Sequence, residues 1–276
     1  MLQFTINAER CIRCRRCVTD CPVCIIEQKE KEVPFIRPEQ EENCLRCQHC
    51  LAVCPTAALS ILGKKPEASL PLDAAHMPNL DQMTLLIRGR RSFRQYQDKN
   101  VDPELLQQLL ATLANSPTGI NNRRLTFRLI DDREAMNRLR EKVMTGLNEA
   151  AKANRIPERA AYLTNTIAPY FEQRRDIIFR NAPHALIVSA EADAPCPQQD
   201  VALALAYFEL LAQSAGLGTV WWGMLHFVLA TLPDIRTLLG IPPDHVFYAM
   251  LFGRPAIKYS RTVQRDNEAE IRHIIF

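Results

Sequence analysis

The chain has 276 residues, 47% of them hydrophobic and 24% charged, with a formal net charge of +3. That length fits one large or two unequal globular domains. No run of Lys/Arg is longer than two and few aromatics stand among the basic residues, which argues against a nucleic-acid partner. The most apolar window, Val201 to Leu225, is interrupted by Glu209 and Gln213 and broken by Gly216 and Gly218. It therefore reads as a buried helix followed by a strand, and no membrane span is expected. The opening residues, MLQFTINAER, carry neither a basic region nor an apolar stretch, so a cytoplasmic address is the expectation.

Nine of the ten cysteines precede residue 55, leaving Cys196 alone between two prolines as a loop thiol. With no export signal, a disulfide framework is disfavoured, because cytosolic thiols are kept reduced. A repeat at a shift of 33 residues maps Cys11, Cys14, Cys17 and Cys21 onto Cys44, Cys47, Cys50 and Cys54. Each run reads C-x2-C-x2-C-x3-C-P, closed by Pro22 or Pro55. Structural zinc sites commonly draw two pairs of ligands from either side of a longer loop. Three thiols at this tighter spacing suit corners of a [4Fe-4S] cluster instead, with the fourth cysteine of each run ligating the other cluster. One cluster then takes Cys11, Cys14, Cys17 and Cys54, the other Cys44, Cys47, Cys50 and Cys21. Residues 1 to 63 thus resemble a bacterial-type ferredoxin domain.

Cys24 falls opposite Ala57 in the repeat and is expected to be a buried small residue, not a ninth ligand. Arg13, Arg15 and Arg16 stand among the ligands of the first run, where the second has Arg46, Gln48 and His49. Positive charge there would raise a cluster's potential, or form a solvated surface that meets an acidic redox partner. The segment between the runs, charged at its centre and apolar at its flanks, predicts a short hairpin. After Leu62 a proline-rich stretch without periodicity reads as a linker. The domains are accordingly 1–78, cluster-binding with its linker, and 79–276.

From Leu80 onward helical spacing alternates with β-rich runs. Helices are predicted after Asp102 as N-cap with Pro103 at the first helical position, over 133–152, and over 199–215 with Gly216 closing it. Strands are predicted at LTFRLID (125–131), HALIVSAE (184–191), TVWWGM (219–224) and HVFYAMLFG (245–253). The fold class is α+β. No GxGxxG or GxxxxGK[ST] occurs, so neither a Rossmann nor a P-loop nucleotide site is supported. His184, His226 and His245 lack a partner at metal-ligand spacing and read as core or surface histidines.

Four dispersed stretches belong together: RRSFR (90–94), SPTGINNR (116–123), AGLGTVWWGML (215–225) and FGRPAIKYSRTVQR (252–265). Their order and spacing resemble the nitroreductase family of FMN proteins over residues 80 to 276. With the cysteine runs in front, the whole chain resembles the ferredoxin-nitroreductase branch. The resemblance implies a nitroreductase-like mixed sheet flanked by helices behind a small two-cluster ferredoxin-like domain. It also implies an intertwined homodimer with FMN at the interface.

Carried over motif by motif, Arg90, Ser92 and Arg94, joined by Arg261 and Arg265, would hold the flavin phosphate and ring edge. Guanidinium forks and a hydroxyl suit such a dianion. Pro117, Thr118, Gly119 and Asn121 match the family's flavin loop, and an N–H at Trp222 or Gly223 would lie near flavin N5. Core packing is the competing expectation for Trp221 and Trp222, since alternation turns only one of them toward the ring.

The chain departs from the family after that loop. Asn122, Arg123, Arg124 and Leu125 replace the usual x-Gln-Pro-Trp, leaving either a cation for an anionic substrate or a solvent-facing arginine. The implied activity is an oxidoreductase. Electrons from a low-potential donor, such as a ferredoxin, would pass through two [4Fe-4S] clusters to FMN and on to a small organic acceptor of nitro, quinone or activated-alkene type. An electron-transfer protein serving a protein partner and an iron-sulfur redox sensor are the alternatives.

Overall fold

The 33-residue shift recurs in the backbone of the computed structural model, which describes residues 1–265 and 268–276. In chain order the first elements are β1 (Thr5–Ile6), α1 (Arg16–Thr19), β2 (Ile26–Glu27), β3 (Phe35–Ile36), α2 (His49–Ala52) and β4 (Leu59–Ser60). α1 maps onto α2 and β2 onto β4 at that shift. So do three pairs of left-handed non-glycine residues: Arg13 with Arg46, Arg15 with Gln48, and Cys24 with Ala57. β1 pairs antiparallel with β4, and β2 with β3 as the expected hairpin. Leu2, Ile25, Ile26, Leu51, Leu59 and Ile61 form the apolar centre between the runs, together with Cys17, Cys21 and Cys50.

Two compact units emerge, Met1–Pro78 with Ile120–Asn122, and Asn79–Gly119 with Arg123–Phe276. Cys24 is exposed, which corrects the expectation of a buried residue. The repeat fixes its backbone conformation, but nothing packs over its side chain as burial would require.

The second unit comprises α3 (Leu80–Gly89), α4 (Pro103–Leu113), β5 (Leu125–Ile130), α5 (Arg133–Lys152), α6 (Thr164–Gln173), β6 (His184–Glu191), α7 (Pro197–Ser214), β7 (Gly218–Trp221), α8 (Met224–Thr231), α9 (Pro233–Leu238) and β8 (His245–Gly253). The strand order is β5-β6-β8-β7, with every ladder antiparallel. An isolated parallel bridge between Ser92 and Thr219 adds to the β7 edge of this otherwise antiparallel sheet. Period-2 alternation divides two helical layers between the sheet's faces. Ala185, Ile187, Ala249 and Leu251 share one core with Met136, Val143 and Leu147 of α5 and Leu225 and Val228 of α8. Leu186, Val188, Met250 and Phe252 share another with Leu106 and Leu109 of α4 and Val201, Leu205 and Phe208 of α7. Burial on both faces explains why β6 reads as a near-continuous apolar run.

Asp102 caps α4 by accepting from the Glu104 amide, and Asp132 caps α5 by accepting from Ala135. At the end of α7, Gly216 is left-handed at φ +73°. Two residues on, Gly218 has no room for a side chain, because a Cβ there would stand 2.5 Å from the Phe93 ring. Among the described residues no helix is long and apolar enough to cross a membrane.

Candidate functional site

In the first unit the cysteine runs curl because residues between the thiols adopt left-handed conformations, two in each run at matching places. Alternating right- and left-handed residues turn successive amides inward, forming the backbone concavity that favours anionic groups, iron–sulfur sites included. The Arg46 amide points at Cys44 Sγ at 3.4 Å, and the Ala58 amide at Cys54 Sγ at 3.2 Å.

Cys21, Cys44, Cys47 and Cys50 line one cavity whose other walls are largely apolar, among them Ile25, Ile26, Ile36 and Ile61. Burial pushes the Cys50 thiol up to about 12 against the Leu51 amide, and Cys47, Cys44 and Cys21 add repulsion. Burial likewise raises Cys17, reinforced by Cys54 and Cys14 beside it. At Cys54 burial also acts upward but is outweighed by the Ala58 and Thr56 amides and the Thr56 hydroxyl, so this thiol is lowered.

Among the described residues no three His, Cys, Asp or Glu side chains converge closely enough for a single metal ion. With metal–sulfur bonds of about 2.3 Å, a mononuclear site needs sulfurs within roughly 4 Å of each other. Four thiols lining one largely apolar cavity, repelling one another as thiolates, fit an iron–sulfur group that neutralises them.

In the second unit the segment from Ser92 to Gln97 is zipped between two neighbours. Phe93 N donates to Thr219 O at 2.8 Å on the β7 side. On the other side Gln97 N donates to Arg254 O at 2.8 Å and Ala256 N to Gln95 O at 3.0 Å. Tyr96 Oη closes the turn by donating to Phe93 O at 2.9 Å, and burial pushes that phenol up. Gly89, Phe93, Gln213, Leu217, Tyr259 and Arg261 line one groove, so three of the four stretches meet there. The Phe93 and Tyr259 rings stack edge to face at 5.1 Å.

Arg90 Nη1 donates to Glu209 Oε1 at 3.2 Å. Glu209 is only 6% exposed and also accepts from Thr219 Oγ1 at 3.3 Å and Trp221 Nε1 at 3.2 Å. Arg91 Nη1 donates to the Arg90 carbonyl, while its Nη2 is buried with no acceptor among the described residues. A buried guanidinium nitrogen without an acceptor, beside further cations, fits an anionic group. Arg91 and Glu209 escaped the sequence reading. The doubled arginine at 90 and 91 was a signal for the first; a lone acidic residue in an apolar helix was the signal for the second. Arg94 is exposed and donates to Ser92 O at 3.3 Å. Arg265 is exposed, and its carbonyl accepts from the Glu268 amide.

The loop before β5 divides. Gly119 N donates to the buried Asp200 Oδ1 at 2.9 Å, and the Thr118 hydroxyl accepts from Arg123 N at 3.1 Å, while Pro117 is exposed. Asn121 belongs with the first unit, where its Nδ2 donates to Leu45 O at 2.7 Å. That bond commits the amide expected at the flavin to the backbone between Cys44 and Cys47.

Trp222 also departs from expectation. Its amide donates to Ala249 O at 2.8 Å, and its indole is buried at 5.0 Å from the Phe179 ring. Its N–H is therefore spent within the sheet, leaving Gly223 of the two expected donors. Trp221, by alternation, turns to Glu209 and Tyr248. Arg124 forms ion pairs with Glu191 and Asp193, whereas Arg123 is exposed. His184 and His226 are held in packing, their charged forms disfavoured first by burial.

Residues 87–254 match the nitroreductase family, and residues 10–59 match a 4Fe-4S dicluster domain. The chain belongs to the nitroreductase family. A relative in Methanothermobacter thermautotrophicus, named "Putative NADH dehydrogenase/NAD(P)H nitroreductase", is 30% identical over 62% of this chain and 75% of its own. Among solved structures, an FMN-bound nitroreductase of Desulfitobacterium hafniense superposes with a TM-score of 0.55 at 18% identity, over 71% of this chain and 100% of that one. An FMN-bound nitroreductase of Bacteroides fragilis gives 0.51 at 20% identity, again over 71% and 100%. At such identities these two likenesses speak for the nitroreductase fold, and they do so for the second unit.

Proposed function

We propose that the chain is an FMN-dependent iron-sulfur oxidoreductase. It would take electrons from a low-potential donor through two [4Fe-4S] clusters in residues 1–78 to FMN in residues 79–276, and reduce a small organic acceptor of nitro, quinone or activated-alkene type. The observation that carries the proposal is the combination, in one chain, of Cys21, Cys44, Cys47 and Cys50 around one cavity, Cys17 beside Cys14 and Cys54, and an Arg91 guanidinium nitrogen buried without an acceptor among the described residues. Membership of the nitroreductase family supports it. So does the FMN bound by the Desulfitobacterium and Bacteroides proteins of the same fold.

When bound, FMN supplies two-electron exchange at its ring and the clusters supply single-electron steps. The protein's part is to bind and orient. Cys11, Cys14, Cys17 and Cys54 would hold one cluster, and Cys44, Cys47, Cys50 and Cys21 the other. Arg90, Arg91, Ser92, Arg261 and Arg265 would hold the phosphate, with Glu209 fixing Arg90 through one nitrogen and leaving the rest of the fork for the ligand. Arg94 would set positive charge against the ring, and the Gly223 amide would face its central edge. Pro117, Thr118 and Gly119, held by Asp200, would form the opposite wall. We infer a homodimer from the apolar Leu203 and Tyr207 left exposed at 41% and 42% on α7, and a cytoplasmic setting from the free thiols.

The test is anaerobic reconstitution followed by iron and flavin assay, then a screen of acceptors with dithionite, reduced ferredoxin or NADPH as donor. About eight irons and one FMN per chain are expected. Eight irons without FMN, or undiminished turnover with a ferredoxin donor after loss of the cluster ligands, would overturn the proposal.

A further inference from the structure

The two cysteine runs share a backbone but not a surface. Arg13 and Arg46 are both left-handed, as are Arg15 and Gln48. Since Gln48 serves as well as Arg15, the fold does not require a cation there. Yet the first run carries three exposed arginines, Arg13, Arg15 and Arg16, where the second has Arg46, Gln48 and His49. Arg13 Nε donates to Lys31 O at 2.9 Å and Arg15 Nη1 to Gln28 O at 3.3 Å, so two of the guanidiniums are fixed by carbonyls that leave their charge intact.

Neighbouring carboxylates are engaged elsewhere: Glu67 with Arg10, Glu27 with Arg37, and Asp20 facing His49. Besides Asp20, Glu9 is the acid nearest in sequence, and Glu30 and Glu32 lie in the hairpin loop beside the acceptor residues Gln28 and Lys31. Ile12 stands among the arginines, 62% exposed. Its counterpart, Leu45, is half-buried, and its carbonyl already accepts from Asn121. An exposed apolar residue ringed by pre-ordered, unneutralised cations has the anatomy of a protein interface.

We propose that Ile12, Arg13, Arg15 and Arg16 form the docking face for a small acidic electron-carrier protein, making the cluster of the first run the entry port. The proposal rests on the electron-relay function above. Charge complementarity selects an acidic partner, and the cations stand on the ligand run itself, where a carrier gains the shortest approach.

The test uses the reconstituted holoprotein and, as probe, an oxidised bacterial ferredoxin of strongly negative net charge, titrated calorimetrically at low and at physiological salt. Wild-type affinity should fall about ten-fold or more as salt rises. Arg16→Glu, at a side chain that holds no part of the hairpin, should weaken low-salt binding about ten-fold. Arg46→Gln should leave it unchanged, and the double lysine variant Arg13→Lys, Arg15→Lys should retain it. Salt-independent or absent binding, equal effects of Arg16→Glu and Arg46→Gln, or loss of binding in the lysine variant would each overturn the docking face. Iron and flavin assays on the same samples separate this from failure of the relay, which would show as missing cofactor in the wild type.

Discussion

Glu209 accepts from Arg90 across 119 residues of chain, tying the first cationic stretch to α7. The carboxylate is nearly buried, while the Arg90 side chain keeps 35% of its exposure, so solvent screens part of the attraction. Removing the arginine leaves a buried carboxylate with only Thr219 and Trp221 as donors. Arg90→Ala should therefore destabilise the protein by about 2–3 kcal/mol, and Glu209→Gln, which preserves shape and removes the charge, by about 1–2 kcal/mol. In a double-mutant cycle on denaturation midpoints the two should couple. Strict additivity would show that the pair contributes nothing.

Gly218 faces the Phe93 ring, and a Cβ at that position would also come within 2.9 Å of Phe93 Cβ, close to the backbone. Gly218→Ala must displace Phe93 and strain its bond to Thr219 O at the β7 edge. We expect a loss of about 1–3 kcal/mol. FMN retention should weaken in the same variant, because the cationic stretch is anchored by that residue. Unchanged thermal stability together with unchanged flavin content would refute the close approach.

Much of this arrangement was legible in the sequence. The cysteine repeat recurs as a repeat of the backbone, and β6 and β8 matched their apolar runs from end to end because burial on both faces leaves little polar interruption. α3 was not legible: none of its residues is buried, and it is specified by a capping box between Asn79 and Gln82 instead of an apolar stripe. The bonds of Asn121 to Leu45 and Arg90 to Glu209 join residues 76 and 119 positions apart, and no local pattern encodes such pairs. The exposure of Cys24 was hidden for a related reason, since a repeat transmits backbone conformation and leaves burial to whatever packs alongside.

Acid should destabilise the second unit through His184. Its ring is fully buried, and Nε2 accepts from Val101 N at 2.9 Å, a bond only the neutral ring can accept. Burial lowers its folded-state value, with the Ile130 carbonyl, Asp131 and Asp132 opposing. The unfolded chain takes up a proton below about pH 6.5, before the folded ring does. Stability from this group is therefore complete above that pH and falls, by about 1.4 kcal/mol per pH unit, down to the lowered folded value. Urea midpoints between pH 5 and 8 should show the decline. His184→Gln, which keeps an acceptor for Val101, should flatten it; His226, also lowered first by burial, supplies a remaining slope.

The crossed pairing of thiols makes opposite single substitutions informative. Cys21 lines the cavity of Cys44, Cys47 and Cys50, and Cys54 lies beside Cys17. Cys21→Ser should therefore impair the cluster of the second run, and Cys54→Ser that of the first, each leaving about four of eight irons after mild chelation. Combining Cys21→Ser with Cys47→Ser should cost no more iron than either alone, whereas combining Cys21→Ser with Cys14→Ser should empty both sites. The reverse pattern would mean that each run holds its own cluster.

Two thiols remain outside those groups, and their surroundings predict different reactivity. Cys24 is exposed and left-handed at φ 54°, whereas Cys196 is half-buried and lies within 3.0 Å of a Cβ placed on Gly119. In the cluster-loaded protein a thiol-reactive dye should modify one cysteine rapidly, Cys24, and a second slowly. Cys24→Gly should abolish the fast phase and keep the full iron content. Because glycine relieves the left-handed strain, the variant should also be more stable than the wild type by up to about 1 kcal/mol. Loss of iron in that variant would instead make Cys24 a ligand, and the eight-cysteine assignment would have to be redrawn.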